Sequence, residues 1–380
     1  MHSRYVRILA LVAAAVLSAG ALAACGSDDD NGTTTGAAGA TGGTTTSGGQ
    51  SGKIALLLPE NKTARYESQD RPLFEAKMRE LCPDCEVIYS NAEQDASKQQ
   101  SQAEAAITNG ARVLVLDPVD GRAAAAIVAR AKQSGIGVVA YDRAIENADV
   151  DYYISFDNEE VGRLQARTLI EGLRRMGRTS GDLVMINGAP TDPNAALFKR
   201  GAHSVLDSSD YRIGKEYDTP DWSPDRAQTE MEQAITALGR NGFVGVYAAN
   251  DGTAGGAIAA MRSNGVDPST RPTTGQDAEL AGIQRIVAGQ QYMTVYKAIK
   301  PEAEDAAQLA YDLLGGNTSS DLVNQRVDNG MKAVPSVILT PVAVTRSNIR
   351  DTVVRDGFWT VRQICTSAYA AACRSAGLTQ

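Results

Sequence analysis

The chain has 380 residues, with 37 Lys and Arg against 45 Asp and Glu and a formal charge of -8. No basic stripe and no interleaving of basic and aromatic residues appears in it, so nucleic acid is excluded as a natural partner. His2 and His203 are the only imidazoles, which leaves metal binding and histidine acid–base chemistry little to work with.

Taken in chain order, the first segment is not part of a fold. Arg4 and Arg7 precede an apolar run from Ile8 to Leu22, too short to span a bilayer comfortably, which reads as a secretory signal. It ends in Leu22-Ala23-Ala24-Cys25, which resembles the lipobox of bacterial lipoproteins. Residues 1–24 are therefore expected to be removed and Cys25 to be acylated. Acyl chains contribute about 0.8 kcal/mol per buried methylene, enough in combination to hold a protein at the outer face of the cell membrane or in the periplasm. Loss of Arg4 and Arg7 moves the formal charge from -8 to -10. Residues 25–52 are nearly all Gly, Ser, Thr and Ala, with an acidic run Asp28-Asp29-Asp30. Such a stretch cannot bury enough apolar surface to offset its ordering entropy and is expected to be a flexible tether.

From Lys53 short apolar runs alternate with longer amphipathic ones. Strands are expected at 54–58, 87–89, 113–116 and 138–141, with helices over 68–81, 97–108 and 121–133 between them. A second series starts at Tyr153-Ile154-Ser155-Phe156-Asp157. Its strands are expected at 183–186, 213–217, 244–248 and just before Gly275, and its helices over 159–173, 194–206, 224–238 and 253–261. Further strands are expected at 293–296 and 337–339. Continuous apolar strands separated by helices imply parallel sheets covered on both faces. The fold class is thus α/β, with two doubly wound parallel-sheet domains and a ligand cleft between them. Cys82, Cys85, Cys365 and Cys373 are an even set in an exported chain and are disulfide candidates, their connectivity left open.

In open parallel sheets ligands bind beyond the carboxyl ends of the strands. The residues found there are Arg65 and Tyr66, Asp142 and Arg143, Asp192 and Asn194, Trp222, Asn250, Asp277 and Lys297. A sugar needs such a set. Each hydroxyl donates one hydrogen bond and accepts two, carboxylates and Arg fix its direction through charge-assisted bonds, and the C–H faces of the ring pack on aromatic plates.

Long stretches carry a family resemblance: Ala140-Tyr141-Asp142-Arg143, Tyr152 to Glu159, Asn250 to Ala257, Gly275 to Ile283, Met293 to Lys297 and Val334-Pro335-Ser336. Across Lys53 to Phe358 the chain resembles the type I periplasmic sugar-binding family, and within it the xylose-binding branch. The resemblance implies two lobes, 53–157 plus 297–335 and 158–296 plus 336–360, joined by a hinge near Asp157, Lys297 and Pro335, with 361–380 as an additional tail. It implies that Arg65, Asp142, Arg143, Asp192, Asn194, Asn250, Asp277 and Lys297 bond a pyranose and that Tyr66 and Trp222 stack on it. Trp is the commoner residue at the Tyr66 place, so an altered or broadened sugar preference is expected. Xylose leads, with glucose, arabinose and galactose as rivals. Trp359, near the end of the matched stretch, is expected to stay out of the site.

A monomeric binding protein without cofactor, delivering a monosaccharide to the permease of an ABC importer, is the function so implied. A glycosidase-like enzyme is the alternative from another class, since three Asp residues converge. Glycoside hydrolysis needs one carboxyl kept protonated, and Arg65, Arg143 and Lys297 are expected to hold these carboxylates ionised. A sugar sensor for a chemoreceptor is a further alternative, whereas a repressor of similar fold is opposed by the export signal and the lack of a helix-turn-helix.

Overall fold

The computed structural model describes residues 51–379, so the expected signal, Cys25 and nearly all of the tether lie outside the described residues. The first series comprises β1 (Lys53–Leu58), β2 (Glu86–Asn91), β3 (Ala111–Leu116), β4 (Gly137–Tyr141) and β5 (Tyr152–Phe156), with α1 (Arg71–Leu81), α2 (Ala96–Thr108) and α3 (Ala125–Gln133) between strands. The second begins with α4 (Asn158–Arg175) and β6 (Gly181–Asn187), followed by α5 (Pro193–Leu206), β7 (Tyr211–Asp218), α6 (Pro224–Leu238), β8 (Gly245–Ala248) and α7 (Asp251–Ser263). It continues through α8 (Leu280–Val287) to β9 (Met293–Tyr296). The chain then returns with α9 (Ile299–Leu314), β10 (Gln325–Asp328) and β11 (Ala333–Leu339), and crosses again to β12 (Val342–Thr345) and the short α10 (Val361–Ile364) and α11 (Ala370–Ser375).

The first sheet runs β10-β11-β5-β4-β3-β1-β2, parallel except for the antiparallel β10–β11 pair. The second holds β7-β6-β8 in parallel register. Isolated bridges Val246–Thr273 and Gln276–Val295 extend it to the antiparallel β9–β12 pair. The strand expected just before Gly275 is therefore a run of bridges rather than a full ladder. Pro272 has no N–H to give, and the left-handed backbone at Asp277 and Ala278 stops the pairing. Each sheet has an apolar cluster on both faces, Leu56 and Val115 against Ala55 and Leu114 in the first, Met185 against Val184 and Ile186 in the second. The two doubly wound sheets are as expected.

The structure departs from expectation at several points; α8, β10 and β12 were not among the expected elements. α9 was not anticipated, because its buried stripe is mostly small: Ala303, Ala306, Ala307 and Ala310 carry it, and alanine signals an apolar face weakly. The 335/336 boundary falls inside β11, where Ser336–Leu339 pair with Tyr153–Phe156 in the first sheet. Pro335 faces Arg326 of β10, and pairing to β5 starts one residue later, so its missing N–H costs that ladder nothing. The third crossing between sheets accordingly lies at Thr340-Pro341 rather than at Pro335. Nor does the tail stand free: Ile364, Cys373 and Leu378 are buried in one cluster with Ile283, Tyr296 and Val344. Cys82 is bonded to Cys85 and Cys365 to Cys373. Among the described residues no helix is long and apolar enough to cross a membrane.

Helices α4 and α5 meet backbone to backbone through glycine. A Cβ on Gly162 would lie 2.0 Å from the Phe198 carbonyl oxygen, and one on Gly201 2.0 Å from that of Glu159. We expect Gly162→Ala to destabilise the fold by roughly 1–3 kcal/mol through overpacking, against the gain in helix propensity. Urea denaturation of the variant checks this, and an unchanged midpoint at unchanged slope would mean that the helices separate freely.

Candidate functional site

Parallel strands deliver their carboxyl ends to one edge, and in this fold the edges of the two sheets face each other. The turn leaving each strand opens a helix, and a short polar side chain satisfies the first free N–H groups of that helix. Asp192 caps α5 by accepting from the Asn194 N–H, and Asn250 caps α7 in a reciprocal box with Thr253. Residues needed to start helices are thereby set at the cleft.

All ten residues expected at the site line one small cavity. The centre of the cavity wall is the Asp142 carboxylate. Arg65 Nη1 donates to its Oδ1 at 3.3 Å, Lys297 Nζ to the same oxygen at 3.2 Å, and the Tyr66 hydroxyl to Oδ2 at 3.4 Å. Burial raises the carboxyl pKa, but Arg65, Lys297 and Arg143 together hold it well below the usual range, so Asp142 is ionised. Lys297 also lies 3.6 Å from Asp277 Oδ1. The Asn194 amide donates to the Asp142 carbonyl at 3.0 Å.

Arg143 links the two lobes. Its Nε lies 2.9 Å from Asp192 Oδ2, and its Nη2 donates to the Tyr66 hydroxyl at 3.2 Å. Trp222 Nε1 donates to the same Asp192 oxygen at 3.0 Å, and the indole packs edge-on to Phe198 with centroids 6.3 Å apart. Its far edge sits where only glycine fits, since a Cβ on Gly188 would be 2.0 Å from Cη2. Trp222 is thus at once a cavity wall and part of the core of the second lobe. At Asp192 burial raises the pKa while Arg143 pulls it down.

The backbone is strained where the site is. Of the eight non-glycine residues with positive φ among the described residues, five are Asp142, Asp221, Trp222, Asp277 and Ala278. Each costs on the order of 1–3 kcal/mol unless its surroundings over-determine it. No sequence signal marked these positions.

Further lining residues are Thr63, Phe198 and Gln276. Phe198 was legible in principle, one helical turn beyond Asn194 and hence on the same face. Behind the wall, Arg65 is held by Asp70 at 2.6 and 3.0 Å and by Glu302 at 2.7 Å. Burial raises the Glu302 carboxyl well above its usual range, against the opposing pull of Arg65 and Lys297. Asp117, at the end of β3, is fully buried 3.6 Å from Arg143 Nε, and burial raises its pKa likewise. As a strand-end acid it could have been found by the rule that found Asp142. Unused hydrogen-bonding capacity sits on the wall of the second lobe: among the described residues, neither Asp277 Oδ2 nor Asn250 Nδ2 has a hydrogen-bond partner. Trp359 is nearer than expected, its Nε1 donating at 2.8 Å to the carbonyl of Ala278, next to Asp277.

Two doubly wound lobes with an aromatic-walled, charge-lined cavity at their facing strand ends define a two-lobed ligand-binding protein. Residues 54–318 match the periplasmic binding protein domain family. The D-xylose-binding periplasmic protein of Escherichia coli (strain K12) is 41% identical over 310 residues, 80% of this chain and 90% of that one. The protein of the same description from Haemophilus influenzae is 39% identical over 316 residues, 82% and 92% of the two chains. An ABC transporter solute binding protein from Clostridium phytofermentans, solved with bound β-D-glucose, is similar at a TM-score of 0.74 and 29% identity, covering 82% of this chain and 99% of that one. The chain belongs to the type I periplasmic sugar-binding proteins. Its periplasmic relatives indicate an exported protein.

Beside the cavity, Glu279 reaches across the lobes to accept from the Ala64 N–H at 3.4 Å. Burial, then Asp251 and Asp277, push its carboxyl up to about 8. In the unfolded chain a Glu carboxyl titrates near ~4.3. Between about pH 5 and 8 the folded protein holds a proton that the unfolded chain has released, so stability is present at the acid end and lost as pH rises. We expect Glu279→Gln, which keeps an acceptor for Ala64, to make that decline shallower by up to about 1.4 kcal/mol per pH unit. Urea titrations from pH 5 to 9 check this; parallel curves for the two proteins would place the carboxyl at its ordinary pKa.

Proposed function

We propose that the cavity binds one monosaccharide, with D-xylose the leading ligand, and that the protein hands it to the permease of an ABC importer. The carrying observation is that charged, amide and aromatic side chains from the strand ends of both lobes converge on a single small cavity. Asp142, Asp192 and Asp277 accept from sugar hydroxyls, Arg65, Arg143, Lys297, Asn194 and Asn250 donate to them, and Tyr66 and Trp222 cover the ring faces. The xylose assignment draws on the two relatives above 35% identity. The bound glucose of the Clostridium protein makes D-glucose the first competitor to try. Closure of the lobes about the 157, 297 and 340 crossings buries the ligand and creates the surface that the permease meets.

The protein is read as a binding protein rather than an enzyme. Asp142 is held ionised by three cations. Asp192 is committed through both oxygens, to the Asn194 N–H on one side and to Trp222 and Arg143 on the other. Neither is free to act as the proton donor that glycoside hydrolysis needs.

Calorimetric titration of the full chain with D-xylose and D-glucose tests the reading. Asp277→Ala should weaken binding by roughly 30- to 4,000-fold, the equivalent of 2 to 5 kcal/mol for one partner of a desolvated charged hydrogen bond, with little change in melting temperature. An affinity within threefold of the parent, with a much lowered melting temperature, would make Asp277 a structural residue.

We also propose that the mature protein is a monomer tethered to the membrane through acylated Cys25. Cys25→Ala should shift it from the membrane fraction to the soluble one after export. Undiminished membrane association would assign the anchoring to another surface.

A further inference from the structure

The segment after Val353 packs on two of the cavity loops that come from the second lobe, those at Ala278 and Tyr296. Asp277 and Ala278 occupy left-handed backbone at φ 85° and 48°, a conformation disfavoured for residues with a Cβ and sustained only by outside constraints. One constraint lies within the sheet: the Asp277 N–H donates to the Val295 carbonyl at 2.9 Å. Another comes from the C-terminal segment, where Trp359 Nε1 donates to the Ala278 carbonyl at 2.8 Å. The neighbouring Phe358 lies edge-on to Tyr296 with centroids 5.1 Å apart, and Tyr296 precedes Lys297.

The tail beyond Trp359 is itself clamped. Gln284 of α8 donates to the Gln363 and Ile364 carbonyls at 3.2 and 3.4 Å, and Arg350 to those of Gly377 and Thr379 at 3.0 and 2.8 Å. The Cys365–Cys373 bond closes the loop that follows the buried Ile364. No residue of the tail lines the cavity.

We propose that Phe358, Trp359 and the disulfide-closed tail form a brace that holds the Asp277–Ala278 turn in its ligand-facing conformation, with Trp359 as the positioning residue. The inference rests on the reading of Asp277 as a ligand contact. A brace of this kind raises affinity without contact, because the free protein already carries Asp277 where the bound state needs it.

A double-mutant cycle on the full chain tests it, with D-xylose affinity read by calorimetry. Trp359→Phe keeps the ring and removes the N–H. It should weaken binding roughly tenfold, the scale of one net hydrogen bond, and speed amide exchange across residues 276–282. In the Asp277→Ala background the same change should cost less than twofold, since the turn then has no ligand contact to position. Equal losses in both backgrounds, or no loss with Asp277 intact, would overturn the brace while leaving the ligand reading in place. If Asp277→Ala alone leaves affinity unchanged, the ligand reading itself falls, and the brace with it. Should Trp359→Phe fold poorly, Cys365→Ser with Cys373→Ser loosens the tail from its other end. It should weaken binding at least threefold, and parental affinity with the disulfide gone would refute the brace.

Discussion

Burying the Asp142 carboxylate costs several kcal/mol before anything compensates it. The compensation comes from far along the chain: Arg65, Tyr66 and Lys297 stand 77, 76 and 155 residues away. Those three lie on the turn after β1 and the crossing after β9, so the ion cluster requires both to close on the end of β4 at once. Arg65 in turn is fixed by Asp70 and by Glu302 at the start of α9, 237 residues on. A chain that misplaced any of these segments would leave a buried charge unpaired, which is among the costlier errors a fold can make. The charge cluster therefore ties the return of the chain into the first lobe to the construction of the site.

That dependence explains why the fold was more legible than the site. Strand and helix periodicity registers every residue of a regular element, and β1 through β9 stood out in the apolar runs. The rule that ligands sit beyond strand ends then picked out Asp142, Asp192, Asn250, Asp277 and Lys297, and the resemblance supplied the roles. What stayed hidden were the residues one layer back. Glu302 lies on a helix whose stripe is mostly alanine, and nothing local marks it as the partner of an arginine in another segment. The left-handed φ of Asp142, Asp277 and Ala278 leaves no trace in composition, since none of them is Gly or Asn. Trp359 looked like an end-of-domain residue because the partner of its indole N–H, the Ala278 carbonyl, is 81 residues distant.

The two walls of the cavity are not equivalent. In the first lobe Arg65 uses Nε, Nη1 and Nη2 on Asp70, Asp142 and Glu302, and Asp142 uses both oxygens. Around Arg65 and Asp142 this wall is satisfied within the protein and therefore stiff, although Arg143 Nε and both Asp117 oxygens beside it have no hydrogen-bond partner among the described residues. In the second lobe Asp277 Oδ2 and Asn250 Nδ2 have no hydrogen-bond partner among the described residues. On the proposed reading, a ligand seated on the stiff wall gains little by rearranging it, whereas its bonds to the second wall are completed as the lobes approach. Hydrogen-bond capacity distributed in this way would then link ligand recognition to the proposed closure, because the differential interaction that a conformational change requires would sit on the second wall.

Selectivity follows from the same asymmetry. A sugar must compete with ion pairs already in place, Arg143 with Asp192 and Lys297 with Asp142. A hydroxyl that fails to reach the spare acceptor on Asp277 or the spare donor on Asn250 leaves that group desolvated and unpaired, which costs about 1–3 kcal/mol for a neutral group and more for a charged one. If Asp277 and Asn250 contact the sugar as proposed, epimers that differ at a single hydroxyl are separated chiefly by the penalty on the wrong one rather than by extra attraction for the right one. Such a penalty persists only if Asp277 cannot swing away to find water. Its carbonyl side is held by the turn into Ala278 and its amide by Val295, so on the proposed reading rigidity at this turn would convert a missing hydroxyl into lost affinity.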